Sequence, residues 1–256
     1  MKRIAITGAA SGIGLALAER FGRGGYVVIG IDVDREAADR ARFELVRSGC
    51  EVSFLHADLA SQTERLNIVT ELEAGGPLDG FIHNAGINSV GSFEKSDLAR
   101  ERTVLDVNLV APMTLTAELL RYDRLAPRAS LVFVSSLSHF VGYPGAAAYA
   151  ASKDGLASYA RSLSAGTMAR GLHVLTVFPG PTKTEHAKRH SPEGSSEERR
   201  MPPAALAERV WKAVKRRRRV LIPGVANRTM AAFGHAFPKV AEGVMRKTLY
   251  ERLEQD

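Results

Sequence analysis

Apolar positions over the first 180 residues alternate between two patterns. Short unbroken apolar runs, among them Val27-Val28-Ile29 and Leu131-Val132-Phe133-Val134, have the form of strands buried on both faces. Between them lie longer segments with apolar residues at helical spacing. That alternation predicts parallel strands joined by crossover helices. Strands are expected at 3–7, 26–31, 51–56, 78–83, 130–135 and 172–178, with a late seventh at 220–222. The fold class that follows is α/β, a doubly wound parallel sheet of about seven strands. A chain of 256 residues commonly holds such a sheet in one domain, so residues 1–256 are read as one unit.

The pattern changes after the sixth strand. Residues 184–203 are polar, with Ser191-Pro192-Glu193-Gly194-Ser195-Ser196 at their middle, a composition that suits a substrate lid loop. Within it His186, Lys188, Arg189 and His190 either meet an acidic substrate or are solvated loop residues. Residues 224–256 form a C-terminal helical extension that Pro238 should divide. Its stripe of Met230, Phe233, Phe237, Val240 and Val244 is read first as packing on its own domain, with a partner interface or a membrane surface as alternatives.

Charge adds little to this picture. Lys plus Arg number 35 against 28 Asp plus Glu, a formal net charge of +7, and much of the excess sits at Lys212 and Lys215 to Arg219. That run reads either as an anion-binding patch or, in preference, as the dipole-complementing end of a helix. No neighbouring aromatics would stack bases, so no nucleic-acid partner is expected. The single cysteine, Cys50, excludes an internal disulfide framework and a multi-cysteine metal site. No metal is expected. The first strand begins three residues from Met1, leaving no room for a signal peptide, and no uninterrupted apolar stretch approaches the roughly 18 residues of a membrane span. A cytoplasmic protein is expected, with membrane-surface contact not favoured.

Candidate chemistry begins at the end of the first strand. Thr7-Gly8-Ala9-Ala10-Ser11-Gly12-Ile13-Gly14 places glycines where a strand turns into a helix N-terminus, an arrangement suited to a dinucleotide pyrophosphate. The spacing is Gly-x3-Gly-x-Gly, and a purely structural turn remains the alternative. The second strand ends at Asp32, where an acid accepts hydrogen bonds from ribose hydroxyls and repels a 2′-phosphate. NAD is therefore favoured over NADP, although Arg35 stands three residues on. Asp32 also reads as a turn residue or a helix cap.

Tyr149 and Lys153 are four apart in a helix expected over 146–170, so they share a face. A lysine ammonium beside the phenol is expected to lower its pKa toward neutrality. Such a pair also occurs by chance, but Ser136 precedes Tyr149 by thirteen residues at the end of the fifth strand. With Thr7-Gly8-x3-Gly12-x-Gly14, Asp58-Leu59, His83-Asn84-Ala85-Gly86, Asn108, Ser136, Tyr149-x3-Lys153 and Pro179-Gly180-x3-Thr184 all in place, the sequence resembles the compact branch of the short-chain dehydrogenase/reductase family over roughly residues 1–185.

The resemblance implies a Rossmann-like, nicotinamide-dependent oxidoreductase that interconverts a secondary alcohol and a carbonyl. It assigns Tyr149 as general acid/base, Ser136 as hydrogen-bond partner of the same substrate oxygen, Lys153 as ribose ligand, and Asn108 as holder of a relay water. It places Gly8, Ser11, Gly12, Ile13 and Gly14 at the pyrophosphate and ribose, and Asp58 with Leu59 at the adenine. Asn84, Ala85 and Gly86 lie along the ribose and Thr184 near the carboxamide, with Pro179, Gly180 and Thr182 also counted as cofactor-binding. His83 stands where the family usually has asparagine. His139 stands where glycine is common and reads either as substrate-facing or as a surface residue. The seventh strand lacks the Asp-Gly-Gly ending of many tetrameric members, so their tetramer is not assumed, and a homodimer or higher homo-oligomer is expected. An NADP-dependent carbonyl reductase and a non-catalytic nucleotide-binding scaffold are the alternative functions.

Overall fold

The structure is a computed structural model describing residues 1–185 and 200–251, apart from the side chains of residues 248 and 249. Its strands are β1 (Lys2–Thr7), β2 (Tyr26–Asp32), β3 (Val52–His56), β4 (Leu78–His83), β5 (Leu125–Val134), β6 (His173–Val177) and β7 (Val220–Leu221). They form one parallel sheet in the order β3-β2-β1-β4-β5-β6-β7. The strand order reverses between β1 and β4, and a crevice opens beyond the carboxyl ends of strands at such a switch point.

Helices cover both faces: α1 (Gly12–Gly22), α2 (Arg35–Arg47), α3 (Gln62–Glu73), α4 (Leu98–Leu105), α5 (Ala111–Arg121), α6 (Ser138–Val141), α7 (Ala147–Gly166) and α8 (Pro203–Lys215). Alternate residues of each strand serve opposite faces. Ala5, Ile29, Phe81, Leu131 and Phe133 pack with helices α3, α5 and α7, whereas Ile4, Ile6, Val28, Ile82 and Val132 pack with α1 and α8. Both faces are dry, which is why the strands read as unbroken apolar runs. Phe21, Phe81 and Phe133 are among the largest fully buried side chains, and each such side chain contributes about 1.5–3 kcal/mol.

Two boundaries differ from expectation for local reasons. Strand β5 starts at Leu125 rather than 130, and its pairing with β4 is irregular between Leu78 and Gly80. Arg128 there has φ +66°, so the polar start of the strand carries a kink that hid it from the pattern. The cap role considered for Asp32 belongs to Asp34, whose carboxylate accepts from the Ala37 amide at 2.9 Å at the start of α2.

The basic run closes α8, as expected. Arg217, with φ +50°, turns the chain toward β7, and its guanidinium donates to the carbonyls of Arg128 and Gly171 at 3.1 and 2.7 Å. After β7 come α9 (Val225–Ala236) and α10 (Pro238–Met245), divided at Pro238. Their apolar stripe does not pack inward: Met230, Phe233, Phe237, Val240 and Val244 are 43–56% exposed, and Ala231, Gly234 and Ala241 are buried instead. A Cβ on Gly234 would lie 2.1 Å from the carbonyl oxygen of Phe140. Close backbone approach to α6 selects the small-residue face, which overrides the periodicity of the large residues.

Cys50 is buried beside Gly22, and burial raises its thiol pKa, as suits a packing residue. One helical run, Leu98–Arg121, is long and apolar enough by length and composition to cross a membrane, and half of its apolar window is buried. Leu115 and Leu119 of that run are fully buried in the core. The expected lid falls largely on residues 186–199, which lie outside the described residues, as do His186, Lys188, Arg189 and His190.

Candidate active site

The glycine turn is held from below by Thr7. Its hydroxyl accepts from the amides of Asn84 and Ala85 at 3.0 and 3.1 Å, tying the ends of β1 and β4 together at the switch point. The Asn84 side-chain amide donates to the carbonyls of Thr7 and Gly8 at 3.0 and 3.1 Å. Gly8 has φ +64°, a conformation that favours glycine. At Gly14 the demand is for space, because a Cβ would lie 1.8 Å from the Gly8 carbonyl oxygen. Ser11 begins α1 without a side-chain cap bond, so the first-turn amides around Ser11, Gly12 and Ile13 retain the character of an anion site.

Asp32 is brought to the same turn. Its carboxylate accepts from the Ala10 amide at 2.9 Å and from the Asp34 amide at 3.2 Å, so it braces the glycine loop and keeps acceptor capacity beside it. The Asp58-Leu59 turn is fixed by two residues that sequence reasoning missed. Glu64 accepts from the Asp58 amide at 2.8 Å, and Arg65 donates to the Leu59 and Ala60 carbonyls at 2.6 and 3.1 Å. A Ser-x-x-Glu spacing from Ser61 to Glu64 was the available signal.

Asn108 lies in a π-helical turn, Asp106–Val110, between α4 and α5, a form often found at functional sites. It is fully buried. Its amide nitrogen donates to the Ile87 carbonyl and the Ser152 hydroxyl, and its oxygen accepts from the Ile87 amide, at 2.9–3.0 Å. Gly86 leaves the space between this side chain and Lys153: a Cβ there would lie 3.3 Å from Asn108 Oδ1 and 3.1 Å from Lys153 Nζ.

Tyr149 and Lys153 do share a face of α7, with Nζ 5.7 Å from the phenol ring centroid. The Ser136 hydroxyl accepts from the Ser138 amide at 3.2 Å and is hydrogen-bonded to the Tyr149 phenol. Ser136 lies two residues beyond the end of β5 rather than at it. The expected lowering of the phenol is not what this geometry produces. Burial raises the Tyr149 pKa, with Tyr143 adding to the rise and the Ser136 bond opposing it. Lys153 is itself buried, donates to the Val134 carbonyl at 2.9 Å, and has its pKa lowered by desolvation to about 8. A cation that is expensive to keep charged cannot hold a phenolate cheaply.

The second rim of the crevice comes from the segment after β6. The Pro179 carbonyl accepts from the Leu137 amide at 2.9 Å, Thr182 donates to the Gly180 carbonyl at 3.1 Å, and Thr184 reaches Gly12, where a Cβ would lie 3.1 Å from its methyl group. Two neighbours here were not foreseen. Asn227 of α9 covers Gly180, where a Cβ would lie 2.5 Å from its amide. The Tyr143 ring stands edge-on to Tyr149 at 6.1 Å. Only the folded path of the chain brings either to the site.

His83 is not at the site surface. Its ring lies between Phe81, tilted at 4.5 Å, and Phe133, stacked at 4.8 Å, and Nε2 pairs with the Thr116 hydroxyl at 2.9 Å. Desolvation lowers its pKa to about 3. His139 does not stand free either: Nδ1 is 2.9 Å from Asp154 Oδ1. The glycine turn, Asp32, the Asp58 turn, Asn84 to Gly86 and Thr184 thus gather at the carboxyl ends of the strands. Gly86 lies against Lys153 on the same edge, with Tyr149 and Ser136 beside it. The residues fit an extended dinucleotide: amides at a helix N-terminus, an acid beside them and a buried lysine amine on the same sheet edge.

Comparison with known proteins agrees. Residues 2–194 match the family model described as short chain dehydrogenase. Over 217 residues the chain is 36% identical to 1-deoxy-11-beta-hydroxypentalenate dehydrogenase of Streptomyces exfoliatus, covering 82% of this chain and 78% of that protein. It is 29% identical to cyclopentanol dehydrogenase of a Comamonas species over 184 residues, covering 72% and 74%. Among solved structures, a short-chain dehydrogenase from Sphingobium yanoikuyae in complex with NADPH superposes with a TM-score of 0.80 at 25% identity, covering 94% of this chain and 96% of that one. A short-chain dehydrogenase/reductase from Burkholderia phymatum in complex with NAD gives 0.82 at 21% identity, covering 93% and 94%.

Proposed function

The chain belongs to the short-chain dehydrogenase family and is a nicotinamide-dependent oxidoreductase acting on hydroxyl and carbonyl groups; from that premise we propose that it oxidises a secondary alcohol with NAD, using Tyr149 as the acid/base group. The observation that carries this reading is the convergence of Ser136, Tyr149 and Lys153 at the sheet edge that also carries Asp32 and the glycine turn.

When bound, the nicotinamide supplies or accepts the hydride. The protein handles the proton and the charge on the substrate oxygen. Ser136, its oxygen accepting from the Ser138 amide, would turn the proton it now gives to Tyr149 toward that oxygen. Tyr149 takes the alcohol proton or returns it to the carbonyl. Ser136 and Tyr149 already stand within hydrogen-bond reach of each other, so one substrate oxygen can meet both groups. Gly8, Ser11, Ile13 and Gly14 would receive the pyrophosphate, Asp32 the adenosine ribose, and Asp58 with Leu59 the adenine. Lys153 would move from the Val134 carbonyl to the nicotinamide ribose, gaining hydrogen bonds for an amine that burial now penalises. Such partners favour the charged form and would strengthen the cationic neighbour of Tyr149.

NAD is favoured because Asp32 is fixed beside the glycine loop by two backbone amides, and a carboxylate there repels a 2′-phosphate. A fluorescence titration with NADH and NADPH tests this: the wild-type chain should bind NADH more tightly, and Asp32→Ala should move the preference toward NADPH. Equal preference in the two proteins would remove the role of Asp32. A homodimer across the long helices carrying Asn108 and Tyr149 belongs to the same proposal, and sedimentation velocity tests it.

A further inference from the structure

The turn that carries Ser136 continues into α6, a helix of only four residues. One helical turn does not hold its own geometry in water, so the position of Ser136 depends on what anchors α6 to its surroundings. One anchor is a side chain. The imidazole of His139 reaches α7, where Nδ1 lies 2.9 Å from Oδ1 of Asp154, the residue after Lys153. A carboxylate partner places the proton on Nδ1. The same ring stacks on Phe178 at 5.1 Å and 27°, the residue before Pro179-Gly180. Its backbone amide donates to the Ser136 carbonyl at 3.2 Å. One residue therefore joins the Ser136 turn, the Lys153 helix and the strand end leading to the second rim of the crevice.

From this junction we propose that His139, with Asp154, is a positioning residue that holds the Ser136 hydroxyl in register with the Tyr149 phenol, an inference that rests on the function proposed above. Ser136 and Tyr149 stand on separate segments, and their shared hydrogen bond tolerates little relative movement. A misplacement of about 1 Å at a reacting centre costs up to about a hundredfold in rate. The His139–Asp154 pair is partly solvated, with side-chain exposures of 23% and 49%, and such pairs contribute little to stability. Its loss should therefore appear in the rate of the chemical step rather than in the melting temperature.

The test uses the full chain and the secondary alcohol on which it is most active. His139→Phe keeps a ring on Phe178 and deletes the donor; His139→Asn keeps a donor near the Nδ1 position and deletes the ring; Asp154→Ala removes the acceptor. The expected result is that kcat falls about tenfold in His139→Phe and in Asp154→Ala, with no further fall in the double variant. The KM for alcohol and the NADH dissociation constant should stay within about twofold and the melting temperature nearly unchanged, and His139→Asn should recover most of the lost kcat. Wild-type kcat in both single variants, or losses that multiply in the double variant, would overturn the inference while leaving the dehydrogenase reading intact. Absence of Tyr149-dependent turnover in the wild-type chain would remove that reading and the inference together.

Discussion

Replacing His83 by asparagine isolates the effect of a buried neutral imidazole on acid stability. The ring is 2% exposed, packed between two phenylalanines, and its Nδ1 has no hydrogen-bond partner among the described residues. Desolvation lowers its pKa from 6.5 to about 3. Above pH 6.5 the ring is neutral whether the chain is folded or unfolded, and it adds no pH dependence. As pH falls below 6.5 the unfolded chain binds a proton that the folded chain refuses, so stability is lost until the pH reaches about 3. Each pH unit in that window costs about 1.4 kcal/mol, or about 3 kcal/mol between pH 6.5 and 4.5. His83→Asn forfeits the ring stacking and should be less stable at pH 7.5, by about 1–3 kcal/mol. Its deficit should shrink on acidification, because it lacks the proton-linked loss. Urea unfolding followed by circular dichroism at pH 7.5, 6.0, 5.0 and 4.5 measures both curves. A variant whose stability runs parallel to the wild type over that range would refute the buried, neutral assignment of the ring.

Two further predictions come from the crevice. Lys153 has its pKa lowered from 10.5 to about 8, so between pH 8 and 10.5 the folded chain releases a proton that the unfolded chain keeps. In the absence of cofactor, stability from this group should rise by about 1.4 kcal/mol per pH unit in that window, and denaturant titration of Lys153→Met should show that rise missing. Gly14→Ala forces a methyl group to within 1.8 Å of the Gly8 carbonyl oxygen; NADH binding measured by fluorescence should fall at least about tenfold, and wild-type affinity would show that the loop yields.

Legibility in the sequence followed the range of the interactions involved. The sheet was legible because strands buried on both faces must be apolar throughout, as Leu131 to Val134 are. The glycine turn was legible because a tight strand-to-helix turn admits few residue types. Tyr149 and Lys153 were readable as one helix face from their spacing alone. Other features depend on segments distant in the chain. Nothing near Gly180 announces that Asn227 covers it. The electrostatics of Tyr149 were misjudged because adjacency to lysine was weighed without the cost of burying both groups. The C-terminal stripe was misjudged because periodicity identifies a face without identifying its partner; close contact with Phe140 favoured Ala231 and Gly234 over Met230 and Phe233.

The most direct measurement of the central claim is NAD-linked oxidation of a panel of secondary alcohols by the wild-type chain and by Tyr149→Phe, with NADH binding followed in parallel. Turnover by the wild type is expected, with a loss of about 10²–10⁴-fold in kcat for the variant and NADH affinity unchanged within about twofold. A variant that keeps wild-type kcat on the same alcohol would contradict the assignment of Tyr149 as the acid/base group.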